Sequence, residues 1–186
     1  MSGETVEQIS IPRAKRIFDI IVVLVLLFSL SPLVLLIMLW IFVEQIIIPA
    51  SRGSILYCET RISAARPFKL CKFRIFKQEV LNREKERNKF IHTKPLEGDK
   101  KNLTYYGRFL KQVYLDELPQ LINVLKGEMT LVGPRPTNLE ISDRLRRSGD
   151  YTKEKMICGI TGPFQSQKGE QRLKNHFKNY TNGYQS

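Results

Sequence analysis

The longest apolar stretch of the chain runs from Ile20 to Val43 without a charged side chain. About 24 residues make about 36 Å of helix, enough to cross a hydrocarbon core of about 30 Å. Ser31-Pro32 falls near its middle, where proline removes a helical hydrogen bond and the hydroxyl of Ser29 or Ser31 can satisfy a freed carbonyl. A kinked single span and a re-entrant hairpin bent at Ser31-Pro32 both follow from this pattern. Arg13, Lys15 and Arg16 precede the segment and Arg52, Arg61 and Arg66 follow it, so both flanks read as cytoplasmic. The apolar run is too long for a cleaved signal peptide, and no small-residue cleavage site follows it.

Beyond the exit at Glu44 to Ser54 the pattern changes. Ile55 to Tyr57 and Phe68 to Arg74 have strand composition and flank a turn around Ala64 to Pro67, which predicts a small β-hairpin. Lys72 and Arg74, two apart, share a face of the second strand. Residues 78–101 read as a charge-rich linker or surface helix, and Thr104 to Leu115 returns to a helical pattern carrying Arg108 and Lys111. A short helix is predicted from Leu115 to Gly127, with Asp116, Glu117 and Pro119 in its first turn and Leu118, Leu121, Ile122 and Leu125 on one face. Thr137 and Glu140 have capping-box spacing for a helix ending near Arg147. Leu173, Phe177 and Tyr180 fit an interfacial helix or a frayed tail.

Composition narrows the class. The net charge is +12 and the pI about 9.8, a balance that attracts polyanions. No helix-turn-helix or zinc-finger spacing supports nucleic acid, whereas the apolar segment supports a membrane and its anionic lipids. Cys58, Cys71 and Cys158 are odd in number and widely spaced, suggesting neither a disulfide framework nor a zinc site; a reducing cytosolic domain fits best.

The candidate chemistry centres on Asp116-Glu117 and the rigid turn Gly133-Pro134-Arg135-Pro136 just downstream. Adjacent acids on a helix diverge by about 100°, so one can attack while its neighbour holds a divalent cation. Acids in a first helical turn also serve as caps, and the arginine-bearing turn is what argues for more than capping.

The run Leu115 to Met129, followed by Val132-Gly133-Pro134-Arg135-Pro136, resembles the signature of the bacterial sugar transferase family, the small monotopic phosphoglycosyl transferases. The resemblance extends from about Lys15 to Gln165 and includes Lys72-Phe73-Arg74 and Gly159-Ile160-Thr161-Gly162 ending in Gln165. Tyr114 stands where the family has a small hydroxyl residue, Cys158 where it has Pro, and Ser166 to Gly169 where a Gly-Arg pair is usual.

The resemblance implies a mainly helical α+β fold. A re-entrant membrane helix-break-helix (13–48, broken at Ser31-Pro32) follows a polar N-terminus (1–12). It carries a cytosolic catalytic domain (49–170) of short and interfacial helices and a small hairpin, then a tail or interfacial helix (171–186). The implied activity is transfer of a sugar 1-phosphate from a UDP-sugar to undecaprenyl phosphate at the cytoplasmic face of the bacterial inner membrane, initiating polysaccharide or glycoconjugate synthesis. Asp116 is the implied nucleophile, Glu117 the Mg²⁺ ligand, and Lys72, Arg74, Arg108, Lys111, Arg135 and Gln165 the phosphate- or substrate-binding groups. Downstream glycosyltransferases are the implied protein partners. A non-catalytic membrane-anchored scaffold or an inactive paralogue is the alternative.

Overall fold

The computed structural model describes residues 9–87, 93–151 and 155–162. The chain divides into two compact units: Met1–Val23, Thr60–Leu70 and Leu121–Ser186 form one, Leu24–Glu59 and Cys71–Gln120 the other. Gln165 and the tail 171–186 lie outside the described residues.

The apolar run belongs to helix α1, Arg13–Ile47, which has the length and composition to cross a membrane. Most of its large apolar side chains are exposed, Phe28 by 84%. The expected break is not an interruption: the helix passes through Pro32. Pro32 has no N–H to offer the carbonyl four residues back, that of Phe28, and the Ser31 hydroxyl donates to that carbonyl at 2.7 Å. Ser29 donates to the carbonyl of Leu26 at 3.2 Å. The serines thus satisfy backbone carbonyls around the proline, as a helix in an apolar medium requires.

The hairpin consists of β1 (Leu56–Ser63) and β2 (Arg66–Phe73), joined by Ala64 and Ala65, both with left-handed φ (45° and 60°). A two-residue turn of this hand matches the twist of paired strands. It also sets Cys58 opposite Cys71, equally far from the turn on each strand, and the two form a disulfide with Cα atoms 4.1 Å apart. This corrects the expectation that the cysteines form no disulfide framework: residue spacing alone does not reveal the register that pairs Cys58 with Cys71. Cys158 is a buried free thiol.

The unit containing residues 71–120 packs Phe73, Tyr106 and Leu110 against Ile37 and Ile41 of α1. Ile75, Phe76, Leu81 and Leu103 form a second cluster, bordered by Tyr57 and Leu96. The charge-rich segment forms α2 (Gln78–Arg87) and one turn, α3 (Thr93–Leu96). Helix α4 (Tyr105–Gln112) begins at Thr104, whose hydroxyl accepts the N–H of Gly107 at 3.0 Å. A Cβ on Gly107 would lie 2.3 Å from the carbonyl oxygen of Ile75, so only glycine allows this approach.

In the other unit, α5 (Gln120–Lys126) is followed by β3 (Thr130–Val132), α6 (Leu139–Arg147) and β4 (Gly159–Thr161). Strands β3 and β4 pair in parallel, Thr130 with Gly159 and Val132 with Thr161. The α5 helix buries Leu121 and Val124 but exposes Ile122, because the turn at Leu118-Pro119 breaks the single helical register expected from Leu115. Thr137 is not a cap; it is buried in a bridge to Ile62, and Asn138 caps α6 by accepting from the N–H of Ile141 at 2.8 Å. Arg16 donates to the carbonyls of Val124 and Leu125 at 2.6 and 2.9 Å, closing the C-terminus of α5.

Candidate active site

Helix α4 is placed by a carboxylate from α1. Glu44, 5% exposed, accepts the backbone N–H groups of Tyr105 and Tyr106 at 3.0 and 2.8 Å and the Ser51 hydroxyl at 2.6 Å. A buried carboxylate is tolerable there because it meets unpaired N–H groups at the positive end of the helix. Tyr105, Phe109 and Val113, four residues apart, remain exposed along α4, and Phe109 meets Trp40 of α1 at 5.5 Å between ring centroids. Such a stripe suits a helix lying at an apolar boundary.

At the end of α4 the chain turns sharply. Tyr114 takes a left-handed φ of 59°, and Leu115–Glu117 form a single 3-10 turn. The two acids therefore precede α5 instead of occupying its first turn. Leu115 and Leu118 pack on the Ile37–Leu110 cluster on either side of the acids, and Asp116 is carried inward with them to 6% exposure. Burial raises the Asp116 pKa to about 6; Lys72 opposes the rise, while Glu117 and Glu97 add to it. Glu117 is half-buried.

Lys72 stands with its ammonium 5.8 Å from the centre of the Tyr57 ring and is the cation acting on Asp116. Lys111 donates to the carbonyl of Glu97 at 2.9 Å and lies 3.4 Å from its carboxylate. Arg108 donates twice to the carbonyl of Lys100, at 3.2 and 2.9 Å, and stacks over Tyr105. Lys72, Lys111 and both acids thus belong to one compact unit.

Arg74 departs from its expected role. It is fully buried and donates to the carbonyls of Ser54 (2.5 Å), Ser51 (2.7 Å) and Phe76. Desolvation lowers its pKa, against the favourable influence of Tyr106 and Glu44. A guanidinium spent on three backbone carbonyls holds the Pro49–Phe76 region together and is not presented to phosphate.

In the other unit, the parallel ladder brings together two motifs that lie far apart in sequence. Gly159 donates to the carbonyl of Pro134 at 2.9 Å, and Gly133 to that of Thr161 at 2.9 Å. A Cβ on Gly159 would lie 2.1 Å from the backbone nitrogen of Gly133. Arg135, exposed, leaves this glycine-paired turn next to the strand that leads towards Gln165.

Among the described residues no three His, Cys, Asp or Glu side chains cluster as a metal cage. Adjacent Asp116 and Glu117 instead fit the demands of Mg²⁺ shared with substrate phosphates, which needs only one or two protein carboxylates. Sequence reasoning missed Glu97 and Glu44. Glu97 carries no local signal within its charge-rich segment; Glu44 does, as the lone acid closing the apolar run.

The chain matches the family described as bacterial sugar transferase over residues 11–184. It belongs to that family. Over 163 residues it is 36% identical to an undecaprenyl-phosphate galactose phosphotransferase of Salmonella typhimurium, covering 81% of this chain and 32% of the relative. A UDP-glucose:undecaprenyl-phosphate glucose-1-phosphate transferase of Escherichia coli is 34% identical over 80% of this chain and 30% of its own length. The exopolysaccharide production protein ExoY of Sinorhizobium fredii is 36% identical over 70% of this chain and 60% of its own length. The chain thus spans about a third of the length of the first two relatives.

Proposed function

We propose that this bacterial sugar transferase moves a sugar 1-phosphate from a UDP-sugar to undecaprenyl phosphate, with Asp116 as nucleophile. The observation that carries the reading is the placement of Asp116: desolvated, within the field of Lys72, and preceded by a helix that shows an apolar stripe to its surroundings. A carboxylate stripped of water is less shielded as a nucleophile, and above pH about 6 it is ionised. Its oxygen attacks the β-phosphorus, the bond from that phosphorus to the bridging oxygen breaks, and UMP leaves with the electron pair. An oxygen of undecaprenyl phosphate then attacks the aspartyl-bound phosphorus and expels the carboxylate, so neither step needs a net proton. Lys72 and Lys111 supply positive charge for the phosphoryl oxygens and Arg108 extends it; the role of Arg135 in phosphate binding rests on the family resemblance alone. Glu117 would hold Mg²⁺, which when bound neutralises phosphate charge that would repel the carboxylate.

The membrane side of this reading is that α1 re-enters the cytoplasmic leaflet, with the basic residues Arg13, Lys15 and Arg16 before it and Arg52 after it on the same side. Arg144, Arg146 and Arg147 of α6 add attraction for anionic lipid headgroups. The lipid-linked product would pass to downstream glycosyltransferases. In detergent with Mg²⁺, undecaprenyl phosphate and a panel of UDP-sugars, the expected result is UMP release and labelling of the protein by sugar phosphate, both absent in Asp116→Asn. A labelled, turning-over Asn variant would refute the nucleophile, and failure of every UDP-sugar to yield UMP would leave the scaffold reading.

A further inference from the structure

We propose that Glu97 is the internal counter-ion of a phosphate-binding lysine: its carboxylate occupies Lys111 in the free protein and gives it up to an incoming phosphate. The inference rests on the reading that Lys111 receives a substrate phosphate.

Both partners are fixed by their own elements. Glu97 follows the single turn of α3, its N–H bonded to the carbonyl of Thr93 at 3.1 Å. The preceding residue, Leu96, packs on the Ile75–Leu103 cluster, and its carbonyl accepts from the Asn102 side chain at 3.1 Å. Lys111 is in the last turn of α4, whose N-terminus Glu44 and Thr104 hold. The lysine makes two separable contacts with Glu97: a hydrogen bond to the main-chain oxygen at 2.9 Å and an ion pair with the carboxylate at 3.4 Å. The first sets the position of the ammonium, and the second cancels its charge.

Solvent reaches both side chains, Lys111 by 35% and Glu97 by 29%. Pairs this exposed hold weakly, and a dianionic phosphate can outcompete one carboxylate for the lysine. Glu97 also acts electrostatically on Asp116, as do Lys72 and Glu117. Removing the Glu97 charge while keeping its main chain leaves Lys111 in place with its charge uncompensated. The carboxylate therefore sets how tightly the site holds phosphate, making Glu97 a positioning residue.

The test is Glu97→Gln in the full chain, read by calorimetric titration with inorganic pyrophosphate and by the KM for undecaprenyl phosphate. At low ionic strength both constants should fall about twofold to fivefold, with kcat changed less than KM, and 0.5 M salt should erase the gain. In a Lys111→Met background the same substitution should change neither constant, and Glu79→Gln, on the exposed start of α2, should leave both at the wild-type value. Unchanged or weaker binding in Glu97→Gln, or an equal gain without Lys111, would overturn the proposal. If no UDP-sugar is turned over, the transferase reading fails alone, because the pyrophosphate titrations still decide the role of Glu97.

Discussion

The carboxylate of Glu44, at the end of the apolar helix, accepts the backbone N–H of Tyr106 at 2.8 Å and so fixes where α4 begins. That helix ends at the turn bearing Asp116, and the placement of the Asp116 carboxylate depends on a charge-assisted cap at the far end of the helix. Glu44 also offsets the buried charge of Arg74. Glu44→Ala is expected to lose about 2 to 4 kcal/mol of stability, seen as a lower denaturation midpoint in detergent and faster amide exchange in α4. A loss under about 0.5 kcal/mol, within the range of ordinary surface substitutions, would show that the cap is dispensable.

Asp116 should trade stability for activity. Its folded pKa, about 6, lies above the ordinary aspartate value of 3.8, so the folded state binds the proton more tightly than the unfolded chain. Stability therefore falls as pH rises from about 4 to 6 and stays reduced above that, by on the order of 2 to 3 kcal/mol. Asp116→Asn removes the buried charge. It should be inactive yet melt higher than wild type at pH 8 in metal-free buffer, with the difference shrinking as pH is brought down to 4. A variant that melts lower at pH 8 would contradict the burial argument.

Lys72 and Arg74 share a strand parity but should give opposite phenotypes. Lys72→Met removes the cation acting on Asp116 from a half-buried position and should cost about 10²- to 10³-fold in kcat with the fold retained. Arg74→Met removes the donor from three backbone carbonyls, those of Ser51 and Phe76 in buried hydrogen bonds, and should cost about 3 to 5 kcal/mol of stability. Circular dichroism melts and UMP release, measured on both, separate the two; equal melting points would sink the distinction.

These residues also show how far the sequence could be read. The apolar run, the hairpin and the α4 segment follow local patterns, and the local pattern suffices there; the acidic pair does not, because the turn at Leu118-Pro119 sets it apart from α5. Arg74 was misread because strand parity gives a face but not whether that face meets solvent; the chain from Pro49 to Phe76 folds around it. The Cys58–Cys71 bond depended on a turn of two left-handed alanines, a conformation more usual for glycine or asparagine. The pairing of Gly133 with Gly159 is a parallel contact between distant segments, and local periodicity carries no trace of it.

Reducing that disulfide should loosen the cation next to it. Cys58 follows Tyr57 and Cys71 precedes Lys72, so the bond ties together the two residues that make the cation–π contact. With the cysteines 13 positions apart in sequence, the chain-entropy account gives about 3 kcal/mol of stabilisation. Dithiothreitol, or a Cys58→Ser, Cys71→Ser double substitution, should lower the midpoint accordingly and reduce UMP release, whereas Cys158→Ser should not reproduce the reductant effect. An activity indifferent to reductant would show that Lys72 is placed without the bond.

The membrane course of α1 is tested by accessibility. Thirty-five residues make about 52 Å of helix, well beyond a perpendicular crossing of about 30 Å. The helix carries basic residues before it and after it, and the positive-inside rule then favours both ends on one side. Pro32 with its serine-satisfied carbonyl permits bending in lipid without an orphaned backbone group. Cysteines introduced at Ser10 and Lys85, both exposed, should each react with a membrane-impermeant maleimide only after the inner membrane is opened. The native background is low, because Cys158 is buried and the other two cysteines are bonded. Labelling of Ser10→Cys from the periplasm with Lys85→Cys protected would establish a true span and remove the re-entrant reading, while leaving the chemistry at Asp116 untouched.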